Sequence, residues 1–381
     1  MRAGRLGLAT LALGLVACDG NQVHTEGRAL ARAVPDWSAD SSSLAVPRSG
    51  ASPVAGPGLG TGKPVTFAFA GDVNFESNPG AVLREDPAAL FTGVSEALEA
   101  DITMVNLETA VTERGEPVPK TYNFRAPPSA FPALRSVGVD VVSLANNHGM
   151  DYGEIGLLDT LDAADDPATG LPLIGAGHDS TEAYEPFRVT IRGQRISILA
   201  GSRIVDAHLI DSWTATDTQP GLAEADDPTL LLEAVRAERA QADTVVVYLH
   251  WGQEYNDCPI ADQPELADQL IAAGADVIVG SHAHVPLGGG MRGGSYVAYG
   301  LGNFIFGSAH GPGLESGILH LTLTGRRVDD AEWLPAHITN GLPTMLEGDA
   351  AAAALSTWEG LRDCADLTGG TERTTREDDG A

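Results

Sequence analysis

Positive charge is what this 381-residue chain has least of: 23 Lys and Arg stand against 52 Asp and Glu, a formal net charge of −29. A chain of that sign repels a phosphate backbone, which excludes nucleic acid as a partner and disfavours adhesion to an anionic membrane by charge alone. It binds anions only where a metal ion or a local arginine supplies the positive charge. Cysteine is scarce too, with three residues in all. The N-terminal apolar run, Leu6 to Ala17, is too short to span a bilayer. What the chain does have is apolar material, 43% of its residues. That is ample for a sizeable core, in one large domain or two modest ones, and it excludes global disorder.

The N-terminus reads as an export signal. Arg2 and Arg5 precede the apolar run, which ends Leu15-Val-Ala-Cys18 and there resembles the lipobox of bacterial lipoproteins. The resemblance implies a signal peptide over residues 1–18. Cys18 would be the lipidated first residue of the mature protein, held on a membrane at the periplasmic or extracellular face of the cell envelope. Residues 19–63, rich in Ala, Ser, Pro and Gly, read as a flexible tether. Within them Gly58-Leu-Gly-Thr-Gly-Lys63 suggests a phosphate loop, but Pro57 takes the first glycine position and no Ser or Thr follows Lys63. It reads as linker.

From Val65 onward apolar runs alternate with helical patterns, the signature of an α/β domain. Strands are expected at Val65–Ala70, Ile102–Leu107, Val141–Ala145, Val245–Leu249, Asp276–Val279, Tyr296–Ala298, Phe304–Phe306, Ile318–Leu323 and Val328–Ile338. Helices are expected at Ala88–Leu98, Ser129–Val137, Ile155–Ala164, Thr229–Ala240 and Leu266–Ala273. Phe187 to Leu199 has the alternation of a hairpin turning at Gly193-Gln194. A terminal helix over Ala350–Leu361 and a disordered acidic tail complete residues 346–381.

The chemistry gathers where the strands end. Asp72, Glu108, Asn147-His148, His250, and His282 with His284 each follow an apolar strand, at the edge where open α/β sheets bind ligands. One such residue is ordinarily a cap. So many at the same end are a donor set, and the small Gly280 allows a bend that aims His282 and His284 at one point. Carboxylate, amide oxygen and imidazole together suit Mn²⁺, Fe or Zn²⁺, one ion or two, and the lack of thiolates disfavours structural zinc. A carboxylate such as Glu108 can bridge two ions that clamp a phosphoryl or acyl oxygen and activate water.

Gly71-Asp72, Asn106-Leu-Glu108, Ala145-Asn-Asn-His148, Asp151-Tyr-Gly153, His250-Trp-Gly252, Gly280-Ser-His-Ala-His284 and Leu301-Gly-Asn-Phe304 resemble, in order, the motifs of CapA/PgsA-type capsule proteins. These are associated with poly-γ-glutamate synthesis or export and are similar to calcineurin-like metallophosphoesterases. The resemblance covers residues 64–345 and implies a four-layer α/β/β/α sandwich of two mixed sheets. It implies that Asp72 and Glu108 share metals, that Asn147, His250 and His282 complete one position, and that His284 serves the other. His148 would be the general acid, with Asp151 orienting it. Two departures stand out: Asn74 occupies the position of the phosphoesterase histidine in Asp-x-His, and Glu108 stands where an Asp is usual. The implied function is a metal-dependent hydrolase or transferase acting on a phosphoester or an anionic polymer beside a membrane synthase complex. The alternative is a non-catalytic accessory protein that binds polymer or synthase in the same cleft.

Other residues divide between readings. Arg125, in a stretch that also resembles the capsule proteins, reads either as a bidentate clamp for carboxylate or phosphate or as a loop arginine. Asn303 is a candidate for substrate contact or for supporting a ligand. His208, His310, His320 and His337 read as structural or solvated, and Trp251 as packing. Cys258 and Cys364 form a disulfide if the fold brings them together.

Overall fold

The computed structural model describes residues 58–370. The lipobox with Cys18, the tether up to residue 57 and the acidic tail from residue 371 lie outside them.

Alternation along the Val65–Val73 strand explains the architecture. Phe67 and Phe69 point one way and Ala68 and Ala70 the other, and both faces are buried. This strand is central in an eight-stranded mixed sheet. It runs parallel to Ile102–Leu107, which is in turn parallel to Val141–Ser143, and antiparallel to Glu315–Thr324. A second, six-stranded sheet holds Gln194–Ser202, Thr244–His250, Val277–Ser281 and Ser295–Ala298 in parallel, with antiparallel strands at both edges.

The two sheets pack face to face. Phe67, Phe69, Met104, Leu319 and Leu321 meet Ile196, Ile198, Val246, Tyr248, Val277 and Val279 in one buried core. Helices cover the outer faces. Leu134 of Ala130–Ser136 and Leu157 and Leu161 of Gly153–Ala164 pack on the first sheet. Leu231 and Val235 of Thr229–Arg239, and Leu266 and Leu270 of Asp262–Ala273, pack on the second. This is the four-layer α/β/β/α arrangement expected from the motifs. No helix among the described residues is long and apolar enough to cross a membrane.

Three local expectations change. The helix expected over Ala88–Leu98 is two 3₁₀ turns, Pro87–Phe91 and Glu96–Leu98, preceded by an unexpected α-helix at Asn78–Glu85. Leu90, Phe91, Val94 and Leu98 are buried as their spacing suggests. The helix breaks at Gly93, whose carbonyl accepts from Met345 N and whose missing side chain leaves room for the Pro343 carbonyl. The hairpin turns one residue earlier than expected, at Arg192-Gly193, both with positive φ (51° and 82°), so Ile191 pairs with Gln194. That is a two-residue turn whose twist suits the strands. It frees the buried Gln194 to bond the Gly58–Lys63 segment through Leu59 O, Thr61 N and Lys63 O. Gly280 lies inside its strand and makes no bend; a Cβ there would sit 2.1 Å from Tyr299 O. It is glycine because a neighbouring backbone passes against it.

At the C-terminus the helix Gly348–Gly360 places Trp358 flat on Trp333, ring centroids 4.0 Å apart, at the edge of the inter-sheet core. Cys364 forms a disulfide with Cys258, closing 106 residues of sequence separation.

Candidate metal centre

Every parallel strand near the middle of the two sheets delivers its carboxyl end to the same place. Asp72 lies near the end of Val65–Val73, Glu108 follows Ile102–Leu107, and Asn146, Asn147 and His148 follow Val141–Ser143. His250 ends Thr244–His250, and His282 and His284 follow Val277–Ser281. Donor atoms of Asp72, Glu108 and His250 all lie within 4.8 Å of one another, on fully buried side chains. Around His250 Nε2 converge Asn147 Oδ1 at 2.8 Å, His282 Nδ1 at 3.1 Å and Glu108 Oε1 at 3.9 Å. The structure thus brings the whole set expected for the first position together.

The two carboxylates differ sharply. Asp72 is satisfied: Oδ1 accepts from Asn106 Nδ2 at 2.8 Å, and Oδ2 faces His282 N at 3.2 Å and His284 Nδ1 at 3.3 Å. Glu108 is as deeply buried, yet among the described residues neither oxygen has a hydrogen-bond partner. Burial, and then the negative charge of Asp72, push its carboxyl well above the usual carboxylate range. Leaving such a group without a partner costs about 1–3 kcal/mol or more. A divalent cation answers it.

The imidazoles are prepared for the same role. Burial, and then the neighbouring imidazoles, hold His250 well below its ordinary range, and burial with His284 nearby brings His282 to about 3. Both are neutral at neutral pH, the form that ligates metal. His250 Nδ1 meets Ser281 Oγ at 3.0 Å and Asn106 Nδ2 at 3.2 Å, contacts that orient the ring and leave Nε2 facing the cluster. His282 and His284 have φ of 91° and 58°, a left-handed conformation that side chains other than glycine rarely adopt. Strain of this kind, on alternate residues that both face the cluster, is what an aimed pair of ligands would require. The donor set fits a divalent metal ion.

The second position is less well supplied. His284 Nδ1 contacts Asn303 Oδ1 at 2.9 Å as well as Asp72. Burial opposes protonation of His284, but the Asp72 carboxylate raises its pKa on balance. Asn303 Nδ2 in turn donates to the His284 and Gly313 carbonyls, so Asn303 supports a ligand. Asn74, in place of a histidine, accepts from Glu76 N and Gly307 N through Oδ1, while its buried Nδ2 has no partner among the described residues. A donor amide offers a cation nothing.

His148 stands at the edge of the cluster. Its Nδ1 lies 2.6 Å from Asp151 Oδ2 and its Nε2 3.8 Å from Glu108 Oε1. Phe124 stacks on the ring at 3.9 Å. Burial lowers its pKa, with Asp151 pulling the other way. Arg125 is engaged elsewhere: Nη2 donates to the Arg114 and Gly115 carbonyls, and the guanidinium lies 3.5 Å over the Tyr152 ring. Trp251 is packed, its Nε1 donating to Tyr299 O. His208 and His320 bond the Pro119 and Ala97 carbonyls, and His337 is exposed. His310 proves closer to the site than expected, its ring 5.3 Å from Tyr255, which itself lies 6.1 Å from His284.

Sequence reasoning missed three supports. Asn106 ties Asp72 to His250 and accepts from Asn146; an amide between the apolar Val105 and Leu107 was its signal. Ser281 sits beside the two histidines and was readable as their neighbour. Lys120 comes from a segment with no pattern at all.

Fold and site together define a two-sheet α/β protein with a buried donor cluster for divalent metal at its strand ends. The chain belongs to the bacterial capsule synthesis protein family PGA_cap, whose profile matches residues 66–308. It is similar to the capsule biosynthesis protein CapA of Bacillus anthracis, 32% identical over 59% of this chain and 54% of that protein. Little more than half of that relative's length is therefore matched. The PGA biosynthesis protein CapA of Bacillus subtilis is 28% identical over 75% of both chains. A probable polyglutamine synthesis accessory protein of Mycobacterium tuberculosis is 30% identical over 56% of this chain and 57% of its own. Among solved structures, a hypothetical protein from Thermus thermophilus aligns with 72% of this chain and 100% of its own at TM-score 0.46 and 17% identity. A 5′-nucleotidase described as putative, from Staphylococcus aureus, aligns with 78% and 58% at 0.43 and 14%.

Proposed function

We propose that this chain is an exported, lipid-anchored protein of poly-γ-glutamate capsule synthesis or export, and that its strand-end cluster performs metal-dependent hydrolysis or transfer at a phosphoester or amide bond. The observation that carries the reading is Glu108, a fully buried carboxylate set among ligand-type side chains, with neither oxygen hydrogen-bonded among the described residues. In this reading Asp72, Glu108, Asn147, His250 and His282 hold the first ion. His284 with Asp72 offers the poorer second position. A bound Mn, Fe or Zn ion supplies Lewis acidity and a water of lowered pKa. His148, in the doubly protonated form that the Asp151 carboxylate favours through Nδ1–H, would hand its Nε2 proton to the leaving group and return to the neutral ring, and Asp151 keeps the ring turned so that Nε2 faces the cluster. Phe124, stacked on that ring, keeps bulk water from it.

Family membership supports the capsule role. The Cys258–Cys364 disulfide supports an oxidising compartment outside the cytosol. Lipidation at Cys18 rests on the lipobox resemblance, and a signal-peptidase inhibitor specific for lipoproteins should leave an uncleaved precursor; normal processing would remove that part. The partners in this reading are the anionic polymer or a phosphoester, and a membrane synthase complex.

Asn74 favours a second reading. With its Oδ1 engaged by backbone, it leaves one metal position short, which suits a cleft that holds polymer or synthase without turnover. Metal analysis of the purified protein, followed by assay of phosphodiester and γ-glutamyl amide substrates with and without Mn²⁺, separates the two. Metal with turnover supports the enzyme, metal without turnover the binding protein. Absence of metal under saturating Mn²⁺ overturns both.

A further inference from the structure

One buried ammonium underlies both the Asn147 turn and the His148–Asp151 pair. Lys120 sits in the irregular segment between the short strands Ala110–Val111 and Arg125–Ala126, with its side chain only 6% exposed. Its Nζ donates to Asp151 Oδ1 at 2.9 Å and to the Asn147 carbonyl oxygen, and lies 5.3 Å from the centroid of the Trp213 ring. Asp206 is 3.9 Å away toward the surface. An ammonium this deep persists only when paired and hydrogen-bonded.

The arrangement divides Asp151 in two. Oδ1 takes Lys120, while Oδ2 takes His148 Nδ1 at 2.6 Å and Phe124 N at 2.6 Å. With both oxygens committed the carboxylate cannot rotate, so His148 Nδ1 is fixed as the donor and Nε2 as the atom presented toward Glu108. Lys120 Nζ is 3.4 Å from Nδ1 but accepts nothing, so it does not compete for that proton. Its second bond pins the Asn147 backbone while Asn147 Oδ1 meets His250 Nε2 at 2.8 Å.

The segment does not depend on Lys120 for its path. Val118 N donates to Asp151 O, and Asn123 Nδ2 donates to the Val118 and Lys120 carbonyls. The charge therefore serves the site and not the loop.

We propose that Lys120 is the positioning residue of this centre: it locks the Asp151 carboxylate that orients His148 and the turn that aims Asn147. Its Nζ is held by Asp151 and by the Asn147 carbonyl, so it acts through those residues. The inference rests on His148 handling a proton, as under the proposed function.

The test compares wild type with Lys120→Met, which keeps length and removes the donors, with Lys120→Gln, which keeps one donor group, and with Asp151→Asn. The first readout is the His148 ring resonances in ¹⁵N-histidine-labelled, metal-free full-length protein. Wild type should show a hydrogen-bonded Nδ1 proton, lost or strongly shifted in Lys120→Met as in Asp151→Asn, and intermediate in Lys120→Gln. The second readout is phosphodiester turnover with Mn²⁺, expected to fall by about tenfold or more in kcat for Lys120→Met, with KM within about twofold. The Lys120→Met/Asp151→Asn double variant should lose no more than Asp151→Asn alone, since both act through one carboxylate. A wild-type ring signal in both lysine variants, or fully additive losses, overturns the proposal. If Lys120→Met does not fold, the glutamine variant carries both readouts. If wild type itself turns nothing over, the enzymatic reading fails, and the ring signal alone decides the role of Lys120.

Discussion

At the site end of the molecule the eight-stranded sheet delivers the acids and amides, Asp72, Asn106, Glu108 and Asn147, with His148 at the cluster's edge, whereas the six-stranded sheet delivers three imidazoles, His250, His282 and His284. Polar partners are distributed unequally between them. Each imidazole of the second sheet has a polar partner within hydrogen-bond range, while the Glu108 carboxylate on the first has none among the described residues. The missing positive charge thus belongs to one side of a seam that only sheet-on-sheet packing creates. Neither half supplies the cluster alone, so an ion bound there would stabilise the packed pair of sheets.

The strongest way to break this comparison is to remove one ligand from each half. Glu108→Ala and His282→Ala should each lower metal affinity by more than about 100-fold, judged against the 10–100-fold typical of supporting residues. Calorimetric titration with Mn²⁺ reads this, and unchanged affinity in either variant would detach that half from the site. Added Mn²⁺ at about 100 times its Kd should stabilise wild type by about 2.7 kcal/mol, and neither variant by a comparable amount.

With divalent ions chelated, the halves should also differ in the sign of their pH response. Glu108 has a folded-state pKa raised well above its ordinary value of 4.5, so its penalty is absent below that pH and grows as pH rises toward the folded pKa. His282 is depressed from 6.5 to about 3, so its contribution is full above 6.5 and is lost as pH falls toward 3. Thermal melts of chelated Glu108→Gln should show a gain of about 1–3 kcal/mol at neutral pH from the lost penalty, leaving the acid-side loss intact. Equal melts of wild type and Glu108→Gln at neutral pH would mean that Glu108 is not strained without its ion.

Asn106→Ala removes the amide that spans the seam and should weaken Mn²⁺ binding by about tenfold. A loss as large as that of a ligand would make Asn106 a ligand itself. The smallest effect is expected outside both halves: Tyr122→Ala, at a side chain 69% exposed, should move stability by less than about 0.5 kcal/mol.

The ligand positions were legible because strand ends are legible. Short apolar runs such as Ile102–Leu107 and Thr244–His250 announce where a sheet stops, and Glu108 and His250 lie at or just past that boundary. What stayed hidden depended on contacts distant in sequence. Gly93 breaks a helix because Leu342–Met345 passes beside it, and Gly280 is glycine because of Tyr299, neither of which periodicity can register. Lys120 was invisible for the same reason. A single lysine in an unpatterned segment has no signal until Asp151, Asn147 and Trp213 surround it. Cys258 and Cys364 were readable as a candidate pair and became a bond only with the fold.

That bond changes the covalent shape of the polypeptide. Cys258 and Cys364 turn the intervening chain into a closed ring, and the ring carries His282, His284 and Asn303. A protease that cuts once anywhere between them opens the ring without releasing a fragment, so both pieces travel together on a gel until a reductant is added. A nicked molecule therefore keeps the segment that bears these imidazoles covalently tied to the rest of the chain.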